Sequence, residues 1–292
     1  MVIYKKINMK IGFIGQGWIG KNYADDFEKR NYDVVRYSLE EPYIANKEKI
    51  KECDIVFIAV PTPTTPQGFD SSILEKAIKN VGVGKIAVIK STILPGTTEK
   101  LQKENPDFFV VHSPEFLAEA SAAYDAANPN RNIIGIPKND KEYQEVAKKV
   151  LGVLPFASYQ LVCRSREAEL IKYAGNAFLF FKVIFANLFF DISEKYNCRW
   201  EDIRDAVAAD PRIGRSHLDP IHKTGRGAGG HCFIKDFAAL REIYQKKLGL
   251  DKAGLDVLDS LIEKNKKLLF DSRKDLDLLE GVHGDLSDLK GK

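Results

Sequence analysis

The stretch Lys10-Ile-Gly-Phe-Ile-Gly-Gln-Gly-Trp-Ile-Gly20 decides the fold that this sequence predicts. Residues 10–14 form a short apolar run typical of a buried strand, and a helical stretch follows as far as about Lys29. The glycines between them have the spacing G-x-G-x-x-G. That spacing alone is a weak signal, but between a first strand and a first helix it indicates a dinucleotide-binding βαβ unit.

Each glycine of this turn has its own physical role. Gly15 permits a tight turn, Gly17 lets the backbone approach a pyrophosphate, and Gly20 lets the helix pack closely on the strand. The N-terminus of the helix attracts the anion. The candidate cofactor contacts in the turn are Gly15, Gly17, Trp18, Ile19 and Gly20.

The residues at the end of the second predicted strand do not decide whether the cofactor carries a 2′-hydroxyl group, as in NAD, or a 2′-phosphate, as in NADP. An Asp or Glu there would bind the ribose hydroxyls, but Ser38 stands at this position. We expect NAD, with Ser38 as a candidate contact and with Glu40 or a backbone group on the ribose. Since Ser38 beside Arg36 would also tolerate a 2′-phosphate, NADP is the alternative.

Strands and helices continue to alternate along the first half of the chain. This alternation predicts βαβ units with right-handed crossovers, and therefore an α/β fold with a doubly wound, Rossmann-type parallel sheet. We assign residues 1–164 to this NAD(P)-binding domain. The predicted strands are 10–14, 33–37, 54–60, 86–90, 108–111 and 133–136.

After about residue 164 the pattern becomes helical, and we assign residues 165–292 to an all-helical central domain. Its first helix, 165–195, contains no proline and is unusually aromatic. A helix that is apolar on most sides should be buried, so we expect it to form a homodimer interface. Further helices are predicted at 200–209, 235–248 and 252–271, with a loop at 211–234, and the charged tail beyond Asp271 is expected to fray.

The charge balance and the hydropathy pattern exclude several kinds of partner. The sequence has 44 Lys and Arg against 41 Asp and Glu, and a net charge of +3 is too small for a nucleic-acid-binding protein. No apolar run reaches the roughly 18 residues that span a bilayer, so no membrane partner is expected. The N-terminus does not read as a signal peptide, and Met9 is a possible alternative start because residues 1–8 add nothing to the first strand.

The four cysteines, Cys53, Cys163, Cys198 and Cys232, are widely spaced and include no C-x-x-C pair. This spacing disfavours a zinc site or a disulfide scaffold, and we expect no metal. Isolated thiols fit a reducing, cytoplasmic setting.

The segment from Gly225 to Asp236 places a thiol in a glycine-rich loop. It reads Gly-Arg-Gly-Ala-Gly-Gly-His-Cys-Phe-Ile-Lys-Asp. Cysteine attacks as the thiolate, and Lys235 or a helix N-terminus would favour that form, while Asp236 is placed to take a proton. We therefore predict that Cys232 is a nucleophile; the alternative is a buried structural cysteine beside a helix cap.

Further polar candidates occur where strands end and on the aromatic helix. Lys172 and Asn176 are four residues apart, so they share a helix face where a cation and an amide can stabilise an oxyanion. Ser91-Thr92 ends the fourth strand, and ligands of doubly wound sheets bind at the carboxyl ends of strands. Glu115 and Glu119 follow the fifth strand. For each of these candidates, ordinary pairing, capping or turn chemistry is the alternative.

Seven blocks, in order from about Met9 to about Leu248, resemble the UDP-glucose/GDP-mannose dehydrogenase family. The Glu-Phe-Leu form of the fourth block is closer to the UDP-glucose branch. The blocks are Gly15 to Gly20, Val60-Pro61-Thr62-Pro63, Ser91-Thr92 with Pro95-Gly96-Thr97, Pro114-Glu115-Phe116-Leu117-x-Glu119, Lys172-x-x-x-Asn176-Ala177-Phe178, Asp210-x-Arg212-Ile213-Gly214, and Gly229-Gly230-x-Cys232-Phe233-x-Lys235-Asp236.

The resemblance implies a four-electron oxidation of a sugar 6-hydroxyl to a carboxylate, most simply UDP-glucose to UDP-glucuronate. Cys232 would attack the intermediate aldehyde to give a thiohemiacetal, then a thioester that water hydrolyses. By this resemblance, Lys172 and Asn176 would bind the substrate and stabilise the oxyanion, Asp236 would assist as base, Thr92 and Glu119 would hold a water, and Glu115 would help to hydrolyse the thioester. Phe116, Leu117 and Lys235 would line the sugar pocket, Gly229 is a further candidate substrate contact, and Arg212 would reach the substrate across a dimer interface. The candidate cofactor contacts outside the glycine turn are Pro61, Thr62, Thr92 and Lys235.

The sequence departs from the family pattern most clearly in length. Family members carry a third, α/β domain that binds the nucleotide base. No pattern of such a domain is apparent after residue 250, so we expect that domain to be missing. We hypothesise that Lys223 and Arg226 bind substrate phosphates in compensation. Two alternatives are open: a non-catalytic nucleotide-sugar or cofactor-binding protein, and a two-electron hydroxyacid dehydrogenase.

Overall fold

A computed structural model describes residues 9–289 of the chain. The proposal that Met9 is an alternative start concerns residues 1–8, which lie outside the described residues. The contacts divide the chain into two compact units. Of the described residues, the first unit contains those up to Thr62 and Asp70–Lys172, and the second contains Pro63–Phe69 and those from Tyr173 to Leu289.

The described residues contain the following strands and helices. The strands are β1 Lys10–Ile14, β2 Asp33–Tyr37, β3 Ile55–Ile58, β4 Thr64–Thr65, β5 Gly68–Phe69, β6 Ile86–Ile89, β7 Phe109–His112, β8 Arg131–Ile136, β9 Tyr159–Arg164, β10 Ile221–His222 and β11 Gly225–Arg226. The α-helices are α1 Trp18–Lys29, α2 Ser72–Ala77, α3 Thr97–Glu104, α4 Ala122–Ala127, α5 Lys141–Val153, α6 Ser165–Lys195, α7 Trp200–Ala208, α8 Gly230–Leu248, α9 Lys252–Asp271 and α10 Leu276–His283.

The first unit is built on a seven-stranded sheet in the order β2-β1-β3-β6-β7-β8-β9, as far as residues 9–289 show. The chain leaves β1 in one direction to β2 and then in the other direction to β3. This reversal opens a crevice at the carboxyl ends of β1 and β3, which is where doubly wound sheets bind ligands. The glycine turn and the segment that follows Ile58 therefore lie at the expected edge.

The sheet of the first unit is covered on both faces. In β3, Ile55 and Phe57 join the cluster that packs against α1, α4 and α5. Val56 and Ile58 are also fully buried, and successive strand side chains point to opposite faces, so a second layer covers the other face. Strands buried on both faces explain the unbroken apolar runs of the sequence.

The α/β fold with a Rossmann-type sheet is confirmed, with two corrections. The sheet is not wholly parallel, because β7 and β8 pair in the antiparallel direction through His112 and Gly135. The edge strand β9 was absent from the predicted strands. Its side chains are exposed or half-buried, and their mixed polar pattern does not resemble a core strand.

The second unit is helical apart from the two short hairpins β4–β5 and β10–β11. The predicted helices at 200–209 and 252–271 are present within one residue at each end. The expectation that the tail frays beyond Asp271 is wrong. Leu279 and Leu286 of this tail are buried in a cluster with Ile234 and Leu269, because leucines at helical spacing give even a charged segment an apolar face.

The start of α8 also differs from the prediction. The helix begins at Gly230 rather than at residue 235, so Cys232 lies in its first turn and not in a loop. Three glycines between 227 and 230 made the segment look non-helical, since glycine has low helix propensity. Here Gly230 adopts a positive φ of 77° at the helix start, a conformation that suits glycine.

The long helix α6 corrects the prediction that no segment is apolar enough to span a bilayer. By length and composition it is long and apolar enough to do so, among the residues that the structure describes. The sequence criterion of an unbroken run missed it because Lys182 interrupts the apolar stretch from Tyr173 to Phe190. A helix at a protein interface passes the same test, so this finding is weak evidence for a membrane.

Candidate active site

The glycine turn of the first unit has the shape that a pyrophosphate requires. A Cβ atom on Gly20 would lie 1.9 Å from the carbonyl oxygen of Gly15, and one on Gly15 would lie 2.2 Å from that of Ala59. A Cβ on Gly17 would meet no atom within 4 Å. The outer glycines therefore allow close packing, and the middle one leaves open space at the N-terminus of α1. That first turn contains no acidic residue, so its N–H groups favour an anion.

The end of β2 lies beside this turn, since Gly15 N donates to the carbonyl oxygen of Tyr37 at 2.9 Å. Ser38 follows directly, and its hydroxyl bonds to the backbone of Glu40. The Arg36 guanidinium, which would have to receive a 2′-phosphate, is already held by Asp25 and Glu28 of α1. Burial is the largest influence on Arg36 and lowers its pKa, but these carboxylates outweigh it and the pKa is raised. This arrangement favours NAD.

The segments that follow β3 and β6 are joined by side-chain hydrogen bonds. The Ser91 hydroxyl accepts from Val60 N at 3.0 Å and donates to Val60 O at 2.7 Å. The hydroxyl of the buried Thr62 donates to Thr92 O at 2.7 Å. Pro61 is exposed beside them. The predicted cofactor contacts Pro61, Thr62 and Thr92 thus form one local structure at the crevice edge.

A buried ion pair joins Glu115 to Lys172. The Lys172 ammonium donates to Glu115 Oε1 at 2.8 Å and to the Glu115 carbonyl oxygen at 2.9 Å. Glu115 Oε2 accepts from Leu117 N at 2.8 Å. Both side chains are buried, and a desolvated charge pair is held in place when its remaining hydrogen-bonding groups are satisfied. The predicted oxyanion-stabilising lysine and the predicted hydrolytic glutamate are therefore direct neighbours.

The neighbouring predicted sugar-pocket residue Phe116 packs between two cations. Its ring centre lies 3.7 Å from the Arg131 guanidinium carbon and 5.7 Å from Lys172 Nζ. Leu117 is half-buried, and Glu119 is exposed at the start of a short 3-10 helix. The face of an aromatic ring attracts cations, so this ring helps to fix both basic side chains.

The sequence analysis missed a second buried lysine in this region. Lys90 follows β6 directly, is 3% exposed, and donates to Ser113 Oγ at 3.1 Å. The signal was present, because a lone lysine closes an otherwise apolar strand next to Ser91-Thr92. A lysine at the end of an apolar run usually marks the polar end of a strand, and only the fold shows that this charge is buried.

In the second unit, Asp236 is the centre of a polar cluster. Its Oδ2 accepts from Asn176 Nδ2 at 2.6 Å, and its Oδ1 accepts from Lys235 Nζ at 2.6 Å. Asp236 is 2% exposed, whereas Asn176 and Lys235 are half-buried. The structure thus brings together three of the residues predicted as catalytic or pocket-forming.

Cys232 lies one turn before Asp236 on α8, and residues four apart share a helix face. It is exposed in the first turn of the helix, where backbone N–H groups favour an anion such as a thiolate. This turn is anchored by Asp275, whose Oδ2 accepts from Gly230 N at 2.7 Å. A Cβ on Gly229 would meet the same oxygen at 2.1 Å, so glycine is needed at that predicted substrate contact.

The basic residues predicted to bind substrate phosphates or to reach the substrate across a dimer interface are Arg212, Lys223 and Arg226. Arg212 is 88% exposed in its side chain and pairs with Asp210. Lys223 is exposed in the turn between β10 and β11. Arg226 donates to Asn187 Oδ1 at 2.8 Å and to Asp191 Oδ1 at 2.6 Å. Phosphate binding by Lys223 and Arg226 stays a prediction, and Arg226 would have to share its donors.

The expectation of no metal was drawn from cysteine spacing alone. Within residues 9–289, no group of three or more His, Cys, Asp and Glu side chains is arranged to hold a metal ion.

Comparison with known proteins agrees with both units. Residues 41–152 match the NAD-binding domain of the UDP-glucose/GDP-mannose dehydrogenase family, and residues 166–267 match its central domain. A putative UDP-glucose 6-dehydrogenase of Bacillus subtilis is 36% identical over 215 residues, which cover 69% of this chain and 48% of that protein. A UDP-glucose 6-dehydrogenase of Rickettsia prowazekii is 30% identical over 262 residues, which cover 85% and 58%.

Among solved structures, a UDP-glucose dehydrogenase from Pyrobaculum islandicum superposes with a TM-score of 0.76 at 28% identity, covering 94% of this chain and 73% of that one. The chain spans about half the length of the curated relatives that it matches. Two consecutive domain models, relatives over most of the chain and a shared fold all agree with the seven sequence blocks. On these grounds the chain belongs to the UDP-glucose/GDP-mannose dehydrogenase family.

Proposed function

We propose that this chain catalyses the NAD-dependent oxidation of a nucleotide-sugar 6-hydroxyl to a carboxylate, with Cys232 as the covalent nucleophile. The observation that carries the proposal is the arrangement on α8. A thiol in the first helical turn stands one turn before a buried carboxylate that Asn176 and Lys235 hold in place. This arrangement supplies a nucleophile, a proton acceptor and oxyanion donors.

The overall reaction balances with two hydrides and one water. The alcohol first loses a hydride and a proton to give an aldehyde. NAD, when bound, accepts the hydride in each of the two oxidations. The thiolate of Cys232 adds to the aldehyde carbon, the resulting thiohemiacetal loses the second hydride, and water then cleaves the thioester to the carboxylate. The covalent bond prevents release of a reactive aldehyde between the two oxidations.

Four residues of the chain have separate roles in this reaction. Asp236 receives the proton of the attacking group, and Asn176 donates a hydrogen bond to developing negative charge. Lys172, already desolvated, supplies a positive charge beside Glu115, which directs the water that hydrolyses the thioester. The reaction requires the sulfur of Cys232 and the hydride acceptor to reach the same carbon.

UDP-glucose is the substrate that we propose. Its support is that the relatives named above are UDP-glucose 6-dehydrogenases, and that the loop after β7 carries Glu115-Phe116-Leu117. A cytoplasmic location also belongs to the proposal, because the nucleophile must remain a thiol.

The deciding experiment measures how many NADH molecules form per nucleotide sugar consumed. We expect two for the wild type with UDP-glucose. Cys232→Ser should lose the second oxidation and form no uronate, while Cys198→Ser, a matched change at another exposed cysteine, should behave as the wild type. A Cys232→Ser variant that still forms two NADH per sugar would refute the proposal.

The same assay separates the alternatives. A two-electron hydroxyacid dehydrogenase would form one NADH from a hydroxyacid and would tolerate the loss of Cys232, because that chemistry needs no thiol. A non-catalytic binding protein would bind NAD and turn over no member of a nucleotide-sugar panel.

We also propose that the protein is a homodimer through α6. In the second unit, Phe180 and Ile184 of this helix are buried, while another set of its apolar side chains stays exposed. An apolar face of this size normally marks an interface, and a self-complementary helix face suits two-fold symmetry. The exposed set is Phe178, Phe181, Phe185, Leu188, Phe189 and Ile192.

Light scattering after size-exclusion chromatography tests this assembly. The wild type should have twice the mass of the 32.8 kDa chain, and Phe185→Ser with Phe189→Ser should shift it to one chain. A monomeric wild type, or a wild type that floats with phospholipid vesicles, would count against the dimer.

A further inference from the structure

Lys90 is a buried cation that the proposed mechanism does not use. Its ammonium lies 4.3 Å from the ring centre of Tyr23 and donates to Ser113 Oγ at 3.1 Å. Within residues 9–289 it has no salt-bridge partner and no other hydrogen-bond acceptor. An ammonium carries three donors, so burial of this one with a single acceptor is costly unless the position has a purpose.

The groups around Lys90 come from three elements and a loop. Tyr23 faces it from α1, His112 and Ser113 from the end of β7, Lys172 from α6, and Glu115 from the loop that follows β7. Burial strongly lowers the pKa of His112, to about 3, and Lys90 adds to this effect, so His112 is neutral. Burial raises the pKa of Tyr23, so its phenol is neutral as well. The charges that matter are therefore Lys90, Glu115 and Lys172.

The balance of these charges changes with the protonation of Lys90. Burial lowers its pKa from 10.5 to about 7, an effect that Glu115 opposes and Lys172 reinforces. With Lys90 neutral, the Glu115–Lys172 pair has no net charge; with Lys90 protonated, the group is cationic. Because water is excluded from this region, the added charge acts on the pair with little screening.

Lys90 is also placed to orient the loop that carries Glu115. Ser113, its hydrogen-bond acceptor, is two residues before Glu115, and Ser113 N donates to Ile89 O at 2.9 Å. On its other side, Lys90 directly precedes Ser91, which joins the two segments at the crevice edge. Lys90 therefore contacts the start of one candidate segment through its side chain and is joined to the other through its backbone.

We propose that Lys90 is a positioning residue for the Glu115–Lys172 pair. It orients Ser113 and, by gaining or losing a proton, it changes the net charge of the group formed by Lys90, Glu115 and Lys172. This inference rests on the proposed function, because it assumes that Glu115 and Lys172 act on the sugar. Lys90 itself does not touch the substrate.

The pH dependence of kcat tests the proposal in the full chain. The wild type should show an inflection near pH 7 that is absent from Lys90→Met and from Lys90→Arg, since neither side chain titrates there. Lys90→Met should also lower kcat roughly tenfold, equivalent to about 1.4 kcal/mol, with the Kd for NAD unchanged. Lys85→Met is the matched control and should keep the wild-type profile, because Lys85 directly precedes the same strand but is only half-buried and pairs with Asp54 at 2.8 Å.

Two results would overturn the proposal. One is a folded Lys90→Met variant with the wild-type pH profile. The other is a uniform loss of kcat with the inflection retained, which would show a merely structural role. If Lys90→Met does not fold, Lys90→Arg and Ser113→Ala test the proposal instead. Lys90→Arg should lack the inflection in the pH profile of kcat, and Ser113→Ala should shift it to another pH.

A measurement that needs no turnover separates this proposal from the proposed function. With lysine labelled by 13C at Cε, NMR should show one lysine that titrates near pH 7 and is missing from Lys90→Met. In Glu115→Gln its midpoint should move to lower pH, because the attractive carboxylate is gone. If no lysine titrates between pH 6 and 8, Lys90 does not have the assigned role, whatever the enzyme oxidises. If the titration is present but no nucleotide sugar is turned over, the proposed function has failed.

Discussion

Gly20 packs so closely on the backbone of Gly15 that no side chain fits between them, whereas Gly17 in the same turn faces open space. The three glycines therefore serve different ends. Two let a strand, a turn and a helix approach one another, and the third keeps a surface clear for a ligand. Lys90 is comparable to Gly17, because its proposed role concerns the candidate site and not the packing of the fold. Burial of its ammonium lowers the stability of the folded protein.

We predict that Gly20→Ala mainly lowers the stability of the fold, whereas Gly17→Ala mainly weakens the binding of NAD. In Gly20→Ala the new methyl group overlaps the Gly15 carbonyl, which should lower the free energy of unfolding by about 1–3 kcal/mol. In Gly17→Ala the backbone φ of −69° suits alanine, so stability should change by less than ~0.5 kcal/mol while NAD binds more weakly. Urea unfolding and an NAD titration measure the two quantities. Equal effects of the two variants on stability would contradict the prediction.

We predict that the stability cost of Lys90 depends on pH. Its pKa is lowered on folding from 10.5 to about 7, so between these values the unfolded chain binds more protons than the folded one. The free energy of unfolding should therefore rise with pH across this window. Lys90→Met should be more stable than the wild type at pH 6, and the difference should shrink towards pH 10. Thermal unfolding at several pH values checks this, and a difference that is constant with pH would contradict it.

At the scale of elements, two helix N-termini are fixed by carboxylates from distant parts of their own unit. Asp275 holds the start of α8 through Gly230 N. The fully buried Glu169 holds the start of α3, where it accepts from Gly96 N at 2.6 Å, from Thr98 N at 2.9 Å and from the Thr98 hydroxyl at 2.6 Å. Such contacts satisfy donors that a helix cannot satisfy alone, and they tie the helix to its neighbour.

We predict that Glu169→Ala lowers the free energy of unfolding by roughly 2–5 kcal/mol, because it leaves buried donors without an acceptor. Glu169→Gln keeps one oxygen in place and should cost less. The control is Glu167→Ala, two residues earlier on α6, which loses an exposed pair with Arg164 and should change stability by less than ~1 kcal/mol. Similar losses for Glu169→Ala and Glu167→Ala in urea unfolding would argue against the capping role.

At the scale of the whole molecule, the segment after Asp271 completes the second unit. Leu279 is fully buried, and Leu286 and Leu289 are nearly so, in the cluster that contains Ile234 of α8. The buried Lys274 also donates to Gly227 O at 2.9 Å, next to the glycine segment that precedes Cys232. A charged tail is thus part of the core that supports the candidate nucleophile.

We predict that removing the residues after Asp271 costs about 5 kcal/mol or more, since three buried leucine side chains are lost. Leu279→Ala alone should cost about 2–5 kcal/mol. Leu250→Ala, at a leucine that is 99% exposed, should have almost no effect. Circular dichroism and urea unfolding are the measurements. A truncated chain with wild-type stability would restore the view that the tail frays.

Much of the fold could be read from the sequence because its signals are local. Apolar runs of strand length, a glycine turn and prolonged helical periodicity are set by neighbouring residues. The order of the seven blocks likewise indicated the family. Strand β9 and the start of α8 escaped prediction, since an exposed edge strand has no apolar pattern and glycine-rich segments resemble loops.

The sequence predicted which residues belong to the candidate site but not which of them contact one another. The sequence indicated Glu115, Lys172, Asn176 and Asp236, but only folding showed that Glu115 pairs with Lys172 and that Asp236 is held by Asn176 and Lys235. Lys90 and Glu169 were not recognised, because a buried charge looks like a surface charge when its surroundings are unknown.

By itself, the sequence determined the order of the buried strands and the long helices, the family and the identity of the nucleophile candidate, since each follows from the chemistry of residues close together in the chain. Tertiary structure decided which charges are desolvated, which partners they have and which apolar segments are covered. Those properties depend on the removal of water by residues distant in sequence, and no local pattern records them.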